Sequence, residues 1–280
     1  MNQKFNADKQ NKIAEKFHSL HHANETLILP NAWDCVSAKI FEENKFPAIA
    51  TTSAGVAWCY GYKDGEHIPP HLVIETINRI TQTVSVPVTA DIEGGYYRNN
   101  IEKFSQFIHN IIEAGAVGIN LEDGHAHTEI LNDVNHHITL IKLAKEIGKE
   151  KGVNLFVNAR TDAMLLNTNL KNKIEACIER VKFFEEAGAD GAFIPFVKDI
   201  ETVAQLKQNI NLPLNILFAD TLNIEDLKKL KINRISIGGR AMLATMNLLK
   251  EISNEIKNSN NWFSLFTKEP TYAEVNAWFK

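Results

Sequence analysis

"IEKFSQFIHNIIEAGAVGINLED", residues 101 to 123, carries two periodicities in one short stretch. In its first part Phe104, Phe107, Ile108, Ile111 and Ile112 follow the i, i+3, i+4, i+7, i+8 spacing of an amphipathic helix. "EAGA" then supplies a glycine suited to a left-handed helix C-cap, and "VGINLED" runs on as an apolar strand that ends in two acids. The same unit returns at residues 172 to 196, where "NKIEACIERVKFFEEAGA" leads into "GAFIPF". Strands that read as continuous apolar runs, separated by helices, belong to a parallel sheet covered on its outer face.

Working outward, the chain offers eight such runs: 27 to 30, 48 to 52, 87 to 92, 117 to 123, 154 to 160, 191 to 196, 213 to 218 and 234 to 239. Eight strand and helix units in 280 residues predict an α/β fold, a (β/α)8 barrel, rather than an open doubly wound sheet. An additional helix precedes the first strand at about 8 to 22, and no linker or low-complexity tract divides the chain, which predicts one domain. The barrel spans about 24 to 245, followed by a helical, aromatic-rich tail from about 246 to 280. Its Trp262, Phe263, Phe266, Tyr272, Trp278 and Phe279 are too apolar for a free tail and should dock on the barrel or on a partner subunit.

Composition narrows the function classes. The chain is 44% apolar and 23% charged with a net charge of -4, and no basic cluster interleaved with aromatics points to nucleic acid. The polar N-terminus lacks a signal-peptide core and no run approaches the roughly 18 apolar residues of a membrane span, so a cytoplasmic protein with no membrane partner is expected. Cys35, Cys59 and Cys177 are odd in number and widely spaced, which predicts reduced, mostly buried thiols.

In a (β/α)8 barrel the chemistry sits at the C-terminal strand ends. Those ends carry Asn31, Trp33 and Asp34; Thr51, Thr52 and Ser53; Asp91 and Glu93; Glu122 and Asp123; Asn158, Arg160 and Asp162; and Asn215 within the seventh run. Carboxylates gathered on one rim repel one another or take up a hard cation, and Mg2+, which needs oxygen ligands and keeps several waters, fits best, with Mn2+ as the alternative. A single strand-end acid is more often a helix cap or a solvated charge, so the argument rests on Asp91, Glu93 and Glu122 together. Arg160 offers a planar fork for a carboxylate or phosphate, or for a structural salt bridge to Asp162 or Glu122. Ser53, Ala54 and Gly55 are small enough to bring backbone N–H groups up to an anion.

The segments "LPNAWDCVSAKIFEENKFPAIATTSAGVAW", "GYKDGEH", "VPVTADIEGGY", "AGAVGINLEDG", "NARTDA" and "EEAGADGAFIP" together resemble the isocitrate lyase/phosphoenolpyruvate mutase superfamily, in particular its shorter phosphonomutase-like members. The likeness covers roughly residues 24 to 245. It implies a barrel that binds Mg2+ and a small 2-oxo acid or its enolate, most often to cleave a C–C bond. A P–C phosphonomutase or an oxaloacetate-type hydrolase at the same site is the alternative, and a catalytically degenerate 2-oxo acid binding protein the further one. By the resemblance Asp91 is the principal metal carboxylate, Glu93 stands where a second Asp is usual, and Asp64 and Glu122 hold metal-bound water. Ser53, Ala54 and Gly55 match the turn that binds substrate carboxylate, and Arg160 the arginine that reaches the substrate; Trp33, Asn158 and Asn215, taken from the strand ends above and not from the resemblance, are further substrate-binding candidates. The resemblance further implies exchange of a C-terminal helix between subunits, hence a homodimer or homotetramer.

One segment departs from the pattern. After the fourth strand the superfamily's lyases carry a KKCGH-type loop, and this chain has "LEDGHAHTEILNDVNHH" instead. His125, with His127 beside it, is the candidate proton carrier there, since imidazole transfers protons near neutral pH; solvated loop histidines are the plainer reading. Three weaker signals stand apart: a zinc-type site from His125, His127, His136 and His137, a Schiff-base role for Lys198, and a phosphate-binding turn at "SIGGRAM", 236 to 242.

Overall fold

The structure, a computed structural model, describes residues 5–124, 130–165, 172–266 and 269–279. Nine parallel strands form one sheet: β1 (Leu27–Leu29), β2 (Asn31–Ala32), β3 (Ile49–Thr51), β4 (Val88–Asp91), β5 (Gly118–Glu122), β6 (Phe156–Arg160), β7 (Gly191–Ile194), β8 (Leu214–Leu217) and β9 (Arg234–Ser236). Each lies within one of the eight runs read from sequence except β2, which prolongs the first run past Pro30. Proline has no N–H for the ladder, so the run breaks there into two pieces. The lower piece pairs with β9 (Leu27 with Arg234) and the upper with β3 (Asn31 with Ala50). The sheet order β1-β9-β8-β7-β6-β5-β4-β3-β2 therefore returns on itself, a TIM-type (β/α)8 barrel.

The helices are α1 (Ala7–His21), α2 (Cys35–Glu43), α3 (Ser53–Cys59), α4 (Pro70–Thr83), α5 (Ile101–Glu113), α6 (Val134–Glu150), α7 (Lys173–Glu186), α8 (Ile200–Asn209), α9 (Ile224–Lys229), α10 (Arg240–Asn258) and α11 (Tyr272–Ala277). On α5 the five apolar residues picked out by period are all buried, a gain of roughly 1.5–3 kcal/mol each. Asn100 caps its N-terminus by accepting from the Lys103 amide, and Gly115 ends it at φ +97°. Gly188 does the same after α7 at φ +94°, so the repeated "EAGA" is one turn chemistry used twice.

The additional N-terminal helix, α1, stoppers the barrel at the N-terminal strand ends. Phe17 meets the Phe156 ring edge-on at 5.3 Å, and His21 stacks on Phe156 at 4.1 Å. Gln10 Nε2 fastens the helix by donating to the carbonyls of Ile112 and Ala116, each at 2.8 Å. This end also holds a cavity of about 330 Å3 lined by Gln10, Thr81, Val88 and Gly115 among others, far from the strand-end acids.

The cysteines are free thiols, but only Cys177 is buried; Cys59 is exposed and Cys35 half-buried. The tail does not settle on its own barrel: Phe263, Phe266 and Tyr272 are 73%, 76% and 84% exposed. No described helix is long and apolar enough to cross a membrane.

Candidate active site

The sheet register decides which side chains share the mouth. Asp91 lies beside Asn120, Glu122 beside Arg160, and Arg160 beside Phe193, so the ends of β4, β5, β6 and β7 face one space. Glu122 and Arg160 meet at 2.7 Å between carboxylate and Nη1, and Arg160 Nε donates to Asp162 Oδ1 at 2.7 Å. The salt-bridge reading of Arg160 is thus realised with both acids, and the guanidinium also lies 5.7 Å from the Phe193 ring centroid. Burial raises Glu122 well above the usual glutamate range, Arg160 opposes this, and Asp162, Asp91 and Glu93 add repulsion.

Asp91 makes no ion pair among the described residues. Its Oδ2 accepts from the Ser53 amide at 3.3 Å, and its own amide donates to Thr51 Oγ1 at 2.8 Å. Burial holds its carboxyl above the ordinary aspartate range, and Arg160 is the main opposing influence. Ser53 opens α3, capped by Thr52, so the small residues Ser53, Ala54 and Gly55 form a first helical turn directed at Asp91.

Glu93 is buried with backbone φ +53°, and both its oxygens are engaged. Oε2 accepts from the Glu66 amide at 2.7 Å and Oε1 from the Tyr96 hydroxyl at 3.0 Å. Burial first, then repulsion from Asp64, Asp91 and Glu66, pushes its pKa up to about 8. Glu93 therefore ties the 60s loop, which carries exposed Asp64, to the rim. The partners that complete this tie are absent from the sequence reading. Arg98 Nη1 donates to the Gly124 carbonyl at 2.6 Å while Nη2 sits 3.4 Å from Glu66. Gly94 leaves the room: a Cβ there would fall 1.9 Å from Arg98 Nη2. Asp123, fully buried, takes Arg180 at 2.5 Å and the Asp162 amide at 2.9 Å. No local pattern marks Arg98 or Arg180, because their partners lie on other strands' loops.

One layer below the mouth, Asn158 and Asn215 are buried and bonded to each other rather than standing at the opening. Trp33 is half-buried, its amide bound to Ser37 Oγ at 3.1 Å. His125 and His127 lie outside the described residues. His136 and His137 belong to α6, where His137 is fully buried against Phe184. Among the described residues no three His, Cys, Asp or Glu side chains converge tightly enough to hold a metal unaided. Lys198 is exposed, and the Gly238 turn has its amides engaged: Ile237 and Gly238 both donate to Asn31 Oδ1, at 3.0 and 2.9 Å. That turn closes the barrel seam and leaves those two N–H groups unavailable to a phosphate.

The Arg160 guanidinium and the Ser53 turn thus share the rim with the buried carboxylates of Asp91, Glu93 and Glu122. A family model described as phosphoenolpyruvate phosphomutase matches residues 17–257. An uncharacterized protein of Mycobacterium tuberculosis is 34% identical over 227 residues, covering 79% of this chain and 81% of its own. A phosphonomutase-type crystal structure from Burkholderia cenocepacia superposes with TM-score 0.82 at 32% identity, covering 88% of this chain and 99% of that one. The oxaloacetate decarboxylase of a Marinomonas strain is 24% identical over 284 residues, 96% of this chain and 95% of its own. Lyases, mutases and hydrolases all occur among such proteins. With the barrel, the rim and the match running along most of its length, the chain belongs to the phosphoenolpyruvate mutase family of the isocitrate lyase superfamily.

Proposed function

We propose that the protein is a Mg2+-dependent enzyme that acts on a small 2-oxo acid, or its precursor, through an enolate, and that it is a C–C bond lyase. The observation that carries this is the pairing of opposites on one rim: Asp91, with no ion pair among the described residues, near an Arg160 already fixed by Glu122 and Asp162. The donor set fits the metal. Buried acids held above their ordinary pKa values by desolvation and mutual repulsion are relieved by a hard cation, and Mg2+ needs only one or two direct carboxylates because it keeps its waters. Asp91 is the direct ligand in this reading, with Asp64, Glu93 and Glu122 reaching the ion through water. Bound there, Mg2+ supplies positive charge for an oxyanion.

The rest falls to the chain's own residues. Scission next to a carbonyl leaves negative charge on an enolate oxygen, and a preset guanidinium lowers that barrier without reorganising. Arg160 is such a group, and the amides of the Ser53, Ala54 and Gly55 turn receive the substrate carboxylate. His125 is the proposed proton carrier. The likeness to the phosphonomutase-type structure supports a second reading, P–C rearrangement at the same site. Release of pyruvate with succinate from 2-methylisocitrate marks the lyase, whereas conversion of phosphonopyruvate to phosphoenolpyruvate, with no fragment released, marks the rearrangement.

The test is calorimetric titration of Mg2+ with oxalate, an enolate mimic. Wild-type protein should bind oxalate only with Mg2+, and Asp91→Ala should lose that binding while keeping its melting profile. No oxalate binding by the wild type would overturn the proposal. We further propose a homodimer or homotetramer, built through the apolar face of α10 and the tail, where Leu249, Phe263 and Phe266 are exposed.

A further inference from the structure

Beneath the rim the barrel interior holds a chain of polar side chains whose orientations are dictated from both ends. Asn215 Nδ2 donates to the Ile216 carbonyl at 3.1 Å and to Ser236 Oγ at 3.0 Å. A carbonyl only accepts, so the Asn215 nitrogen must face it and its Oδ1 must face away. That Oδ1 accepts from Asn158 Nδ2 at 3.1 Å, and the same Asn158 Nδ2 donates to Asn120 Oδ1 at 2.8 Å. From the far side of the barrel Arg234 Nη2 donates to this Asn120 Oδ1 at 3.2 Å. A guanidinium has no acceptor, so the Asn120 oxygen is held toward it. A carbonyl at one end and a guanidinium at the other thus fix every amide between them.

Arg234 is an expensive way to achieve this if structure were all that mattered. It is 1% exposed, no carboxylate touches it among the described residues, and its Nε and Nη1 have no partner. Burying a guanidinium without a contacting acid carries a large desolvation cost, and an apolar side chain of similar volume fills a barrel core without that penalty. What Arg234 does achieve is to hold Asn120 Oδ1, which leaves Nδ2 as the amide atom with no hydrogen-bond partner among the described residues. Asn120 sits in register with Asp91 and two residues before Glu122 on the same strand, so it belongs to the floor of the mouth.

We propose that Asn120 is a substrate-binding residue, its Nδ2 donating to an oxygen of the carboxylate substrate, and that Arg234 is the positioning residue that fixes its orientation. This rests on the oxalate- and enolate-binding reading of the mouth. It narrows the substrate to an acid with an oxygen that reaches the floor as well as the rim.

The test compares wild type, Asn120→Asp, Arg234→Met and Arg234→Lys, each titrated with oxalate in Mg2+ and each melted. Asn120→Asp keeps shape, gives Arg234 an acid, and removes the donor. Its melting temperature should hold or rise while oxalate affinity falls roughly tenfold or more, a split that a purely structural role would not produce. Arg234→Met should lose oxalate affinity comparably, and Arg234→Lys, which still donates to Asn120, should recover part of it. Oxalate binding within about twofold of wild type in Asn120→Asp would overturn the inference even if Arg234→Met fails to fold. Wild-type protein that binds no oxalate overturns the enolate reading and this inference with it.

Discussion

A guanidinium gripped at 2.7 Å by Glu122 and at 2.7 Å by Asp162 has lost its rotational freedom before any ligand arrives. Lysine offers one point of charge in place of a planar fork and cannot meet Glu122 and Asp162 through two separate nitrogens, so Arg160→Lys should lower Mg2+-dependent oxalate affinity roughly tenfold or more, read by calorimetry. Buried histidines make a second residue-scale prediction. His21 and His137 are each pushed down to about 3, chiefly by desolvation, from an ordinary value of 6.5. Their folded forms are neutral, so the unfolded chain takes up the extra protons as pH falls. Each contribution is complete above about pH 6.5 and is lost toward pH 3, at roughly 1.4 kcal/mol per pH unit. Urea denaturation across that range should show wild-type stability falling relative to His137→Leu by that slope as the pH is lowered. At this scale the sequence was informative where a charge ends an apolar run, as at Asp91, Glu122 and Arg160. Asn120 escaped notice inside "GINLED" because an inward asparagine and an outward one look alike until the register is known. Arg98, Arg180 and Arg234 work through partners on other elements, which no local spacing reveals.

Elements were more legible than their junctions. The 3.6-residue period and the repeated "EAGA" located α5 and α7 to within a few residues, because each boundary is a local chemical event. Pro30 was read as a strand end, since the pairing that carries the run onward to Ala32 is with β3, not with anything nearby in sequence. The two capping glycines give a paired prediction. A Cβ on Gly188 would meet only Lys145 Cγ at 3.9 Å, whereas on Gly115 it would fall 2.8 Å from Thr81 Oγ1. Gly188→Ala should therefore cost about 1–2 kcal/mol from backbone strain alone. Gly115→Ala should cost more, because Thr81 must also give way; thermal melts of the two variants compare them directly.

For the whole molecule, the exposed apolar surface is concentrated late in the chain. Leu243, Leu248, Leu249 and Ile256 of α10 are between 46% and 60% exposed, and the tail aromatics Phe263, Phe266 and Tyr272 are exposed as well. If that surface joins subunits, light scattering should give at least twice the 31.5 kDa of one chain, and Phe263→Ser with Phe266→Ser should shift the mass downward. A mass of one chain at micromolar concentration would remove the oligomer from the proposal. The break at Pro30 bears on how the barrel comes into being. The lower half of the first strand run has its partner at Arg234 to Ser236, near the far end of the polypeptide. During synthesis this half must wait as an unpaired edge until β9 has left the ribosome, while the upper half can already pair with β3. The ring is therefore shut by its first and last strands, and a chain that terminates before Arg234 is left with an open seam exposed to aggregation.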